Sequence, residues 1–256
     1  FPLNDIQQAY WLGRQGAFDL GNVGCHLYME MAPENLDVAR LEAAWNRLIN
    51  HHDMLRAIIL PSGEQQILPQ VPTYEITVIE ESRSSGEAQS PLASTRQALS
   101  AQLFDPAKWP LFDIRVVMLA DQSTRLCFSF DLLICDVYSF LRLSEEWQHV
   151  YNGNDTLEPL SIGFRDYVEL EADLLQEGGE YSPYADDWRY WQARFDSLPA
   201  APDLPLAMNP QDIKQPRFRR LEAHLPAADW QRIKKLAAAH QITPSLLLCA
   251  AYAKTL

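Results

Sequence analysis

The chain has 256 residues, with 21 Lys and Arg against 34 Asp and Glu, so its formal net charge is −13. Its apolar fraction of 47% is typical of a globular protein, and its length allows one large domain or two modest ones. Nucleic acids and anionic membrane surfaces both attract clustered Lys and Arg, and this acidic sequence has no prominent basic cluster. No apolar run approaches the ~20 residues that span a bilayer. We therefore predict neither nucleic acid nor membrane as a partner.

The cysteines and histidines indicate neither a metal site nor a disulfide framework. Four cysteines share apolar neighbours but have no C-x-x-C spacing: Cys25, Cys127, Cys135 and Cys249. We expect them to be reduced thiols in the core, which favours a cytoplasmic location. The histidines outside the 51–52 pair show no ligand spacing, so we predict no bound metal.

The first hundred residues predict helices and short strands in alternation. Asn4 and Gln7 form a capping-box pair, which predicts a helix that ends near Gly13. Residues 25–31 alternate as a strand does, and apolar positions between 41 and 49 recur at helical spacing. A hairpin is predicted around residues 61–63, a further strand at 74–78, and a helix that begins at Ser90-Pro91.

The second half begins with two strands, predicted over residues 112–118 and 126–131. In the second strand the aromatic side chains face one way, while Cys127, Ser129 and Asp131 face the other. Helices are predicted from Asp136, over 164–175, over 188–195, over 227–240 and from 244, with a strand near 218–225. The helical spacing of the aromatic residues between Trp188 and Phe195 favours core packing. This mixture predicts an α/β or α+β fold with a mixed sheet.

Two carboxylates in very apolar sequence are the most informative feature of the chain. Asp136 stands at a predicted helix start, where a carboxylate can cap the helix and interact with its dipole. Asp131 has no such explanation, and burial of an unpaired charge is costly. Asp131 therefore reaches solvent, faces a channel, or has a raised pKa that would suit acid–base chemistry.

The spacing of these residues resembles that of a known enzyme family. Asp131-x-x-x-x-Asp136-x-x-Ser139 is similar to the D-x-x-x-x-D-x-x-S signature of heterocyclization domains of nonribosomal peptide synthetases. Four further segments resemble family motifs in the same order: Phe1-Pro2-Leu3 to Gly13-Arg14, His52 to Gln65, Leu198-Pro199 to Pro210, and Thr243-Pro244-Ser245. The resemblance thus extends along the whole chain.

The resemblance implies a chloramphenicol-acetyltransferase-like α/β sandwich, built as a pseudodimer of two lobes around a tunnel. Residues 1–177 would form the N-terminal lobe and residues 178–256 the beginning of the second lobe. Phe1 in place of Met, and a stop at Leu256 within an apolar run, lead us to expect a segment of a longer chain. We expect this segment alone to be inactive and to expose an apolar face.

The resemblance also implies a reaction with two stages. The amine of a carrier-bound Cys, Ser or Thr attacks an upstream acyl thioester and forms an amide. The side-chain thiol or hydroxyl then adds to that amide, and loss of water gives a thiazoline or oxazoline, as in siderophore synthesis. Phosphopantetheine arms of upstream and downstream carrier proteins would deliver the substrates, with an adenylation domain adjacent and no cofactor bound directly.

Expected roles in the site follow from comparison with ordinary condensation domains, which carry H-H-x-x-x-D-G-x-S at this place. Asp131 and Leu132 replace the two histidines, so a histidine base is missing. Catalytic roles are expected for Asp131, which would orient the amine or hold a tunnel hydrogen bond, and for Asp136 and Ser139. Asp136 would also hold the loop in place.

Three residues are expected to support the motif. Arg56 is the candidate ion-pair partner of Asp136, and His51 could share that task, although a histidine at a helix C-terminus is also favoured by the dipole alone. Cys135, inside the motif, is assigned to structural support. Two alternatives to heterocyclization stay open: an ordinary condensation or acyltransferase domain, and a non-catalytic docking scaffold for carrier proteins.

Overall fold

A computed structural model gives the arrangement of most of the chain. It describes residues 1–15, 21, 23–81, 90–154, 156–177, 183–200, 203–213, 216, 221 and 223–256. The helices are α1 Asp5–Gly13, α2 Val38–His51, α3 Pro91–Ser100, α4 Val137–Tyr151, α5 Phe164–Glu177, α6 Pro183–Phe195, α7 Ala227–Ala239 and α8 Pro244–Thr255. The strands are β1 His26–Met31, β2 Ala57–Ile59, β3 Gln65–Ile67, β4 Thr77–Glu80, β5 Phe112–Met118 and β6 Thr124–Asp131.

A four-stranded mixed sheet organises the first part of the chain. Its strand order is β1-β6-β5-β4, in which β4 runs parallel to β5 and the other pairs are antiparallel. The predicted α/β class with a mixed sheet is therefore confirmed. β6 is a central strand, and its last residue, Asp131, pairs with His26 at the start of β1.

The main core lies between one face of this sheet and the helices α2 and α4. Alternation along β5 and β6 places Phe112 and Phe130 on this face, as their sequence pattern predicts. Both rings pack edge-on against Trp45 of α2, with centroids 5.4 and 5.6 Å away. Trp147 of α4 completes the cluster at 4.6 Å from Trp45. This core fixes where β6 ends and α4 begins.

The apolar cluster on the opposite face of the sheet is smaller, and buried polar side chains lie on this face as well. A few apolar side chains, among them Leu99 of α3 and Cys127 of β6, form a second cluster. Ser129 and Asp131 lie on the same side of β6 as Cys127 and are also buried. The alternation of side chains along β6 therefore places the buried Asp131 on this face, at the end of the strand.

The amino terminus is tied to the small β2–β3 hairpin. The backbone of Phe1 exchanges two hydrogen bonds with Gln65, at 2.9 and 3.1 Å. α1 follows at once, with the predicted capping box between Asn4 and Gln7 present. The helix consequently begins beside the hairpin and lies against the loop that follows β6.

The helices from α5 onward are much more exposed, and two predictions of burial are wrong. The aromatic residues of α6 do not form a core, because Trp188, Trp191 and Phe195 are all more than half exposed. Nor are all the cysteines buried, since Cys25 and Cys249 are exposed while Cys127 and Cys135 are buried. Within the described part of the chain, large apolar side chains are exposed on α5, α6 and α8.

Two sequence predictions fall on positions outside the described residues. The boundary near residue 178 lies in the gap at 178–182, and half of the predicted strand near 218–225, positions 218–220 and 222, lies outside the described residues. Among the described helices none alone is long and apolar enough to cross a bilayer, although α7 and α8, bent by 99°, pass that test as a pair.

Candidate active site

Asp131 ends β6 on the polar face of the sheet and is only 1% exposed. Its carboxylate faces Arg14, the residue after α1, whose Nη2 lies 2.5 Å from Oδ1 of Asp131. Arg14 is also buried, at 9% exposed, and its sequence spacing does not indicate a pairing with Asp131. The signal was nevertheless present, since Arg14 closes the opening motif of the chain.

The space around Arg14 is tight on one side and open on the other. A Cβ atom at Gly24 would come within 3.0 Å of Leu103 and 3.6 Å of the guanidinium carbon, so the backbone there lies close to Arg14. On the other side, a cavity of about 580 Å³ is lined by Trp11, Arg14 and the 103–107 segment, among others. Its lining includes neither aspartate of the motif.

Burial raises the pKa of Asp131, and the nearby Arg14 guanidinium offsets that effect in part. Oδ2 of Asp131 and two guanidinium nitrogens of Arg14, Nε and Nη1, have no hydrogen-bond partner among the described residues. The pair is therefore an ion pair in a poorly solvated place, where loss of either partner would be costly.

The turn between the two aspartates is fixed at several points. Oδ1 of Asp131 also accepts from the backbone N–H of Leu133 at 2.9 Å, and the N–H of Leu132 donates to the carbonyl of Cys25 at 3.0 Å. The Leu133 side chain is 1% exposed and packs with Leu3 and Ile59. One carboxylate oxygen thus links Arg14, which follows α1, to the turn backbone.

Asp136 has the opposite environment. It is exposed and caps α4, because its Oδ1 accepts from the backbone N–H of Ser139 at 2.7 Å. Hydrogen bonds from the hydroxyl and the backbone of Ser139 lower the pKa of Asp136. Ser139, Val137 and Tyr138 are exposed beside it, so the start of α4 presents a carboxylate, a hydroxyl and apolar side chains together.

Cys135 is buried immediately before this cap. Its Sγ lies 3.3 Å from the carbonyl oxygen of Asp136, and burial raises the pKa of its thiol to about 12. The thiol is therefore protonated at neutral pH and is a poor nucleophile.

The predicted ion pair between Arg56 and Asp136 is wrong. Arg56 donates to the carbonyls of Ile49, Asn50 and Leu68 and bonds Asp53 at 2.6 Å. Its guanidinium is thus occupied by the end of α2 and its neighbours, because the last carbonyls of a helix attract a nearby cation.

His51 also lies away from the motif turn. It is the last residue of α2, and its ring packs edge-on against His52 with the centroids 4.8 Å apart. His52 in turn bonds Glu146 of α4 at 2.5 Å. These contacts connect α2 to α4 and do not reach Asp136. In the described residues, no group of three His, Cys, Asp or Glu side chains is arranged to hold a metal ion.

Comparison with known proteins identifies the family to which this chain belongs. The family model of the Condensation domain matches residues 1–256. The chain therefore belongs to the condensation-domain family. Within that family it is similar to the cyclization domain, as the motif spacing predicts.

Three similar proteins cover nearly the whole of this chain, and one of them is a solved cyclization domain. The chain is 38% identical over 259 residues to pyochelin synthetase PchF of Pseudomonas aeruginosa, covering 100% of this chain and 14% of the relative. It is 34% identical over 262 residues to phenyloxazoline synthase MbtB of Mycolicibacterium paratuberculosis, covering 100% and 22%. The solved cyclization-docking bidomain of EpoB from Sorangium cellulosum matches with a TM-score of 0.82 and 36% identity, over 98% of this chain and 50% of that one. The chain thus spans a minor part of the curated relatives and half of the solved bidomain.

Proposed function

We propose that this chain supplies the amino-terminal lobe and the start of the second lobe of a heterocyclization domain, as residues 1–177 and 178–256. The observation that carries the proposal is the likeness to the EpoB cyclization bidomain, at 36% identity over 98% of this chain. The match covers 50% of that solved chain, so the remainder of the active site would come from sequence outside these residues.

The proposed reaction joins two carrier-bound substrates. The amine of a cysteinyl, seryl or threonyl thioester attacks an acyl thioester, the carrier thiol leaves, and an amide forms. The side-chain thiol or hydroxyl then adds to the amide carbonyl, and loss of water gives the five-membered ring. The name of phenyloxazoline synthase is consistent with an oxazoline product, and a siderophore product remains part of the proposal.

The two aspartates would have different roles in this reaction. Asp131 is buried and held by Arg14, so we assign it to positioning of the turn. Asp136 and Ser139 are exposed at the positive end of α4, where they could contact the substrate amine or amide. Carrier proteins with phosphopantetheine arms are the partners that this chemistry requires, and an adjacent adenylation domain is a further proposed partner.

The test separates amide formation from ring formation in the full-length protein. A benzoyl thioester on the upstream carrier and a cysteinyl thioester on the downstream carrier serve as probes, and products are followed by mass spectrometry. We expect the benzoyl-cysteinyl amide followed by loss of one water, with both steps slowed in Asp136→Ala. Amide without ring would identify an ordinary condensation domain instead. Carrier binding without either product would identify a docking scaffold.

A further inference from the structure

Two buried glutamine side chains lie between α1 and the β2–β3 hairpin. Gln7 of α1 is 5% exposed and Gln65 of β3 is 1% exposed. A buried amide is costly unless each of its donors and acceptors finds a partner. Their partners therefore show what the two side chains hold together.

Each amide bonds the other reciprocally. Nε2 of Gln7 donates to Oε1 of Gln65 at 3.0 Å, and Nε2 of Gln65 donates to Oε1 of Gln7 at 3.0 Å. Each Nε2 also has a second acceptor on the backbone: the carbonyl of Leu133 at 2.7 Å for Gln7, and the carbonyl of Pro2 at 2.8 Å for Gln65. All four amide hydrogens of the pair are thus used.

Backbone groups determine the orientation of the Gln7 amide, that is, which of its two end atoms is the oxygen and which is the nitrogen. Oε1 of Gln7 accepts from the N–H of Asn4 at 3.1 Å, while Nε2 lies on a carbonyl oxygen, so rotation of the amide by 180° would place like groups together. Asn4 also caps α1 through its own side chain. The orientation of Gln7 is therefore set by the start of its own helix.

We propose that Gln7 is a positioning residue for the motif turn, a role that rests on the proposed function. The chain segment at α1 holds this turn at two points: Arg14 binds the Asp131 carboxylate, and Gln7 binds the Leu133 carbonyl two residues later. With both in place, the turn that leads from buried Asp131 to exposed Asp136 has one conformation. Without Gln7, a buried carbonyl loses its partner, and the turn rotates to find another.

A matched pair of variants tests this contact, and Gln7→Met also removes the acceptor for the N–H of Asn4. Gln7→Met and Gln65→Met remove side-chain amides of the same size from adjacent buried positions, and both break the reciprocal pair. Only Gln7→Met removes the bond to Leu133, because in Gln65→Met the Gln7 amide is still held between Asn4 and Leu133. Both variants are made in the full-length protein, and their unfolding midpoints are compared first.

The first readout is amide hydrogen exchange in the turn, which does not depend on activity. The reporting groups are the N–H groups of Leu132, Leu133 and Ile134, each hydrogen-bonded in the structure. We expect exchange there to accelerate about tenfold in Gln7→Met, as for loss of one buried hydrogen bond, and to change little in Gln65→Met. Equal exchange in the two variants would overturn the proposal.

The second readout is the division between kcat and KM for benzoyl-cysteinyl amide formation with the two loaded carriers. A displaced turn lowers kcat by about ten- to a hundredfold in Gln7→Met while KM stays within about twofold. Gln65→Met should keep kcat within about threefold of the wild type. Faster exchange with unchanged kcat would refute the positioning role. If the wild-type protein forms no product, the proposed function fails, and the exchange comparison still decides whether Gln7 holds the turn.

Gln7→Glu covers the case in which Gln7→Met does not fold. A carboxyl group keeps the acceptor for the N–H of Asn4 and so preserves the capping box. It can donate to the Leu133 carbonyl only while protonated. Exchange in the turn, expressed relative to wild type at the same pH, should therefore rise with pH in Gln7→Glu. A ratio that stays constant with pH would contradict the proposal.

Discussion

The two ends of the motif turn carry the same residue type in opposite environments. Asp131 is 1% exposed and bonded to Arg14, while Asp136 is exposed at the start of a helix. Burial raises the pKa of the first, and hydrogen bonds from Ser139 lower the pKa of the second. Five residues of separation are enough to divide a pair of carboxylates into one that holds the backbone and one that meets solvent. Burial and partners, more than residue type, decide what each can do.

Removal of the partner of Asp131 should have the largest effect. Arg14→Met keeps the length of the side chain but leaves a buried carboxylate without its cation. We expect a loss of about 3–5 kcal/mol in the free energy of unfolding, because an uncompensated buried charge is strongly destabilising. Urea unfolding, followed by fluorescence of the core tryptophans, measures the change.

The double variant Arg14→Met with Asp131→Asn is the control for that prediction. An asparagine keeps an oxygen that accepts from the N–H of Leu133 and carries no charge. If the ion pair is the cause, the double variant regains most of the lost stability. A double variant as unstable as Arg14→Met alone would show that packing of the arginine stem, rather than charge, holds this end of the turn.

Arg14 and Gln7 also show where sequence reasoning stops. The capping box of Asn4 with Gln7, the mixed sheet, the start of α4 at Asp136 and the family could all be predicted, because they depend on local spacing or on motif order. The partners of Arg14 and Gln7 are 117 and 126 residues away, and only the packing of α1 against the end of β6 brings them together. A local sequence pattern does not indicate contacts between residues so far apart in the chain.

Two of the wrong predictions, the Arg56–Asp136 ion pair and the buried aromatic cluster of α6, have similar causes. Arg56 was assigned to Asp136 by analogy with relatives, yet the end of α2 supplies nearer acceptors for its donors. The periodicity of α6 identifies an apolar face correctly but does not reveal whether anything covers it. Trp188, which lies on this face, is 55% exposed. Periodicity determines which side chains share a face, whereas burial depends on what packs there.

The pH dependence of stability should have opposite signs at the two ends of the turn. Asp131 has a raised pKa, so its contribution is fully present below the ordinary value of 3.8 and is lost as pH rises through the folded-state value. Asp136 has a lowered pKa, so its contribution is present above 3.8 and is lost as pH falls through the folded-state value. The comparison is drawn from urea unfolding of the wild type and single Asn variants between about pH 3 and pH 8.

Each variant removes one of these dependences and leaves the other. Relative to Asp131→Asn, the wild type should lose stability as pH rises. Relative to Asp136→Asn, it should lose stability as pH falls, and the asparagine still caps α4. Two difference curves with the same slope would mean that the two carboxylates do not differ in environment as the structure indicates.

The smallest expected effect belongs to the exposed end of the turn. Asp136→Ala removes the oxygen that accepts from the N–H of Ser139, and loss of a helix cap costs about 1 kcal/mol in the free energy of unfolding. Asp136→Asn should lose only a few tenths of that amount, since asparagine caps almost as well. If Asp136→Ala were as destabilising as Arg14→Met, Asp136 would be a second buried anchor. A small loss of stability together with a large loss of amide and ring formation would instead place Asp136 at the reacting groups.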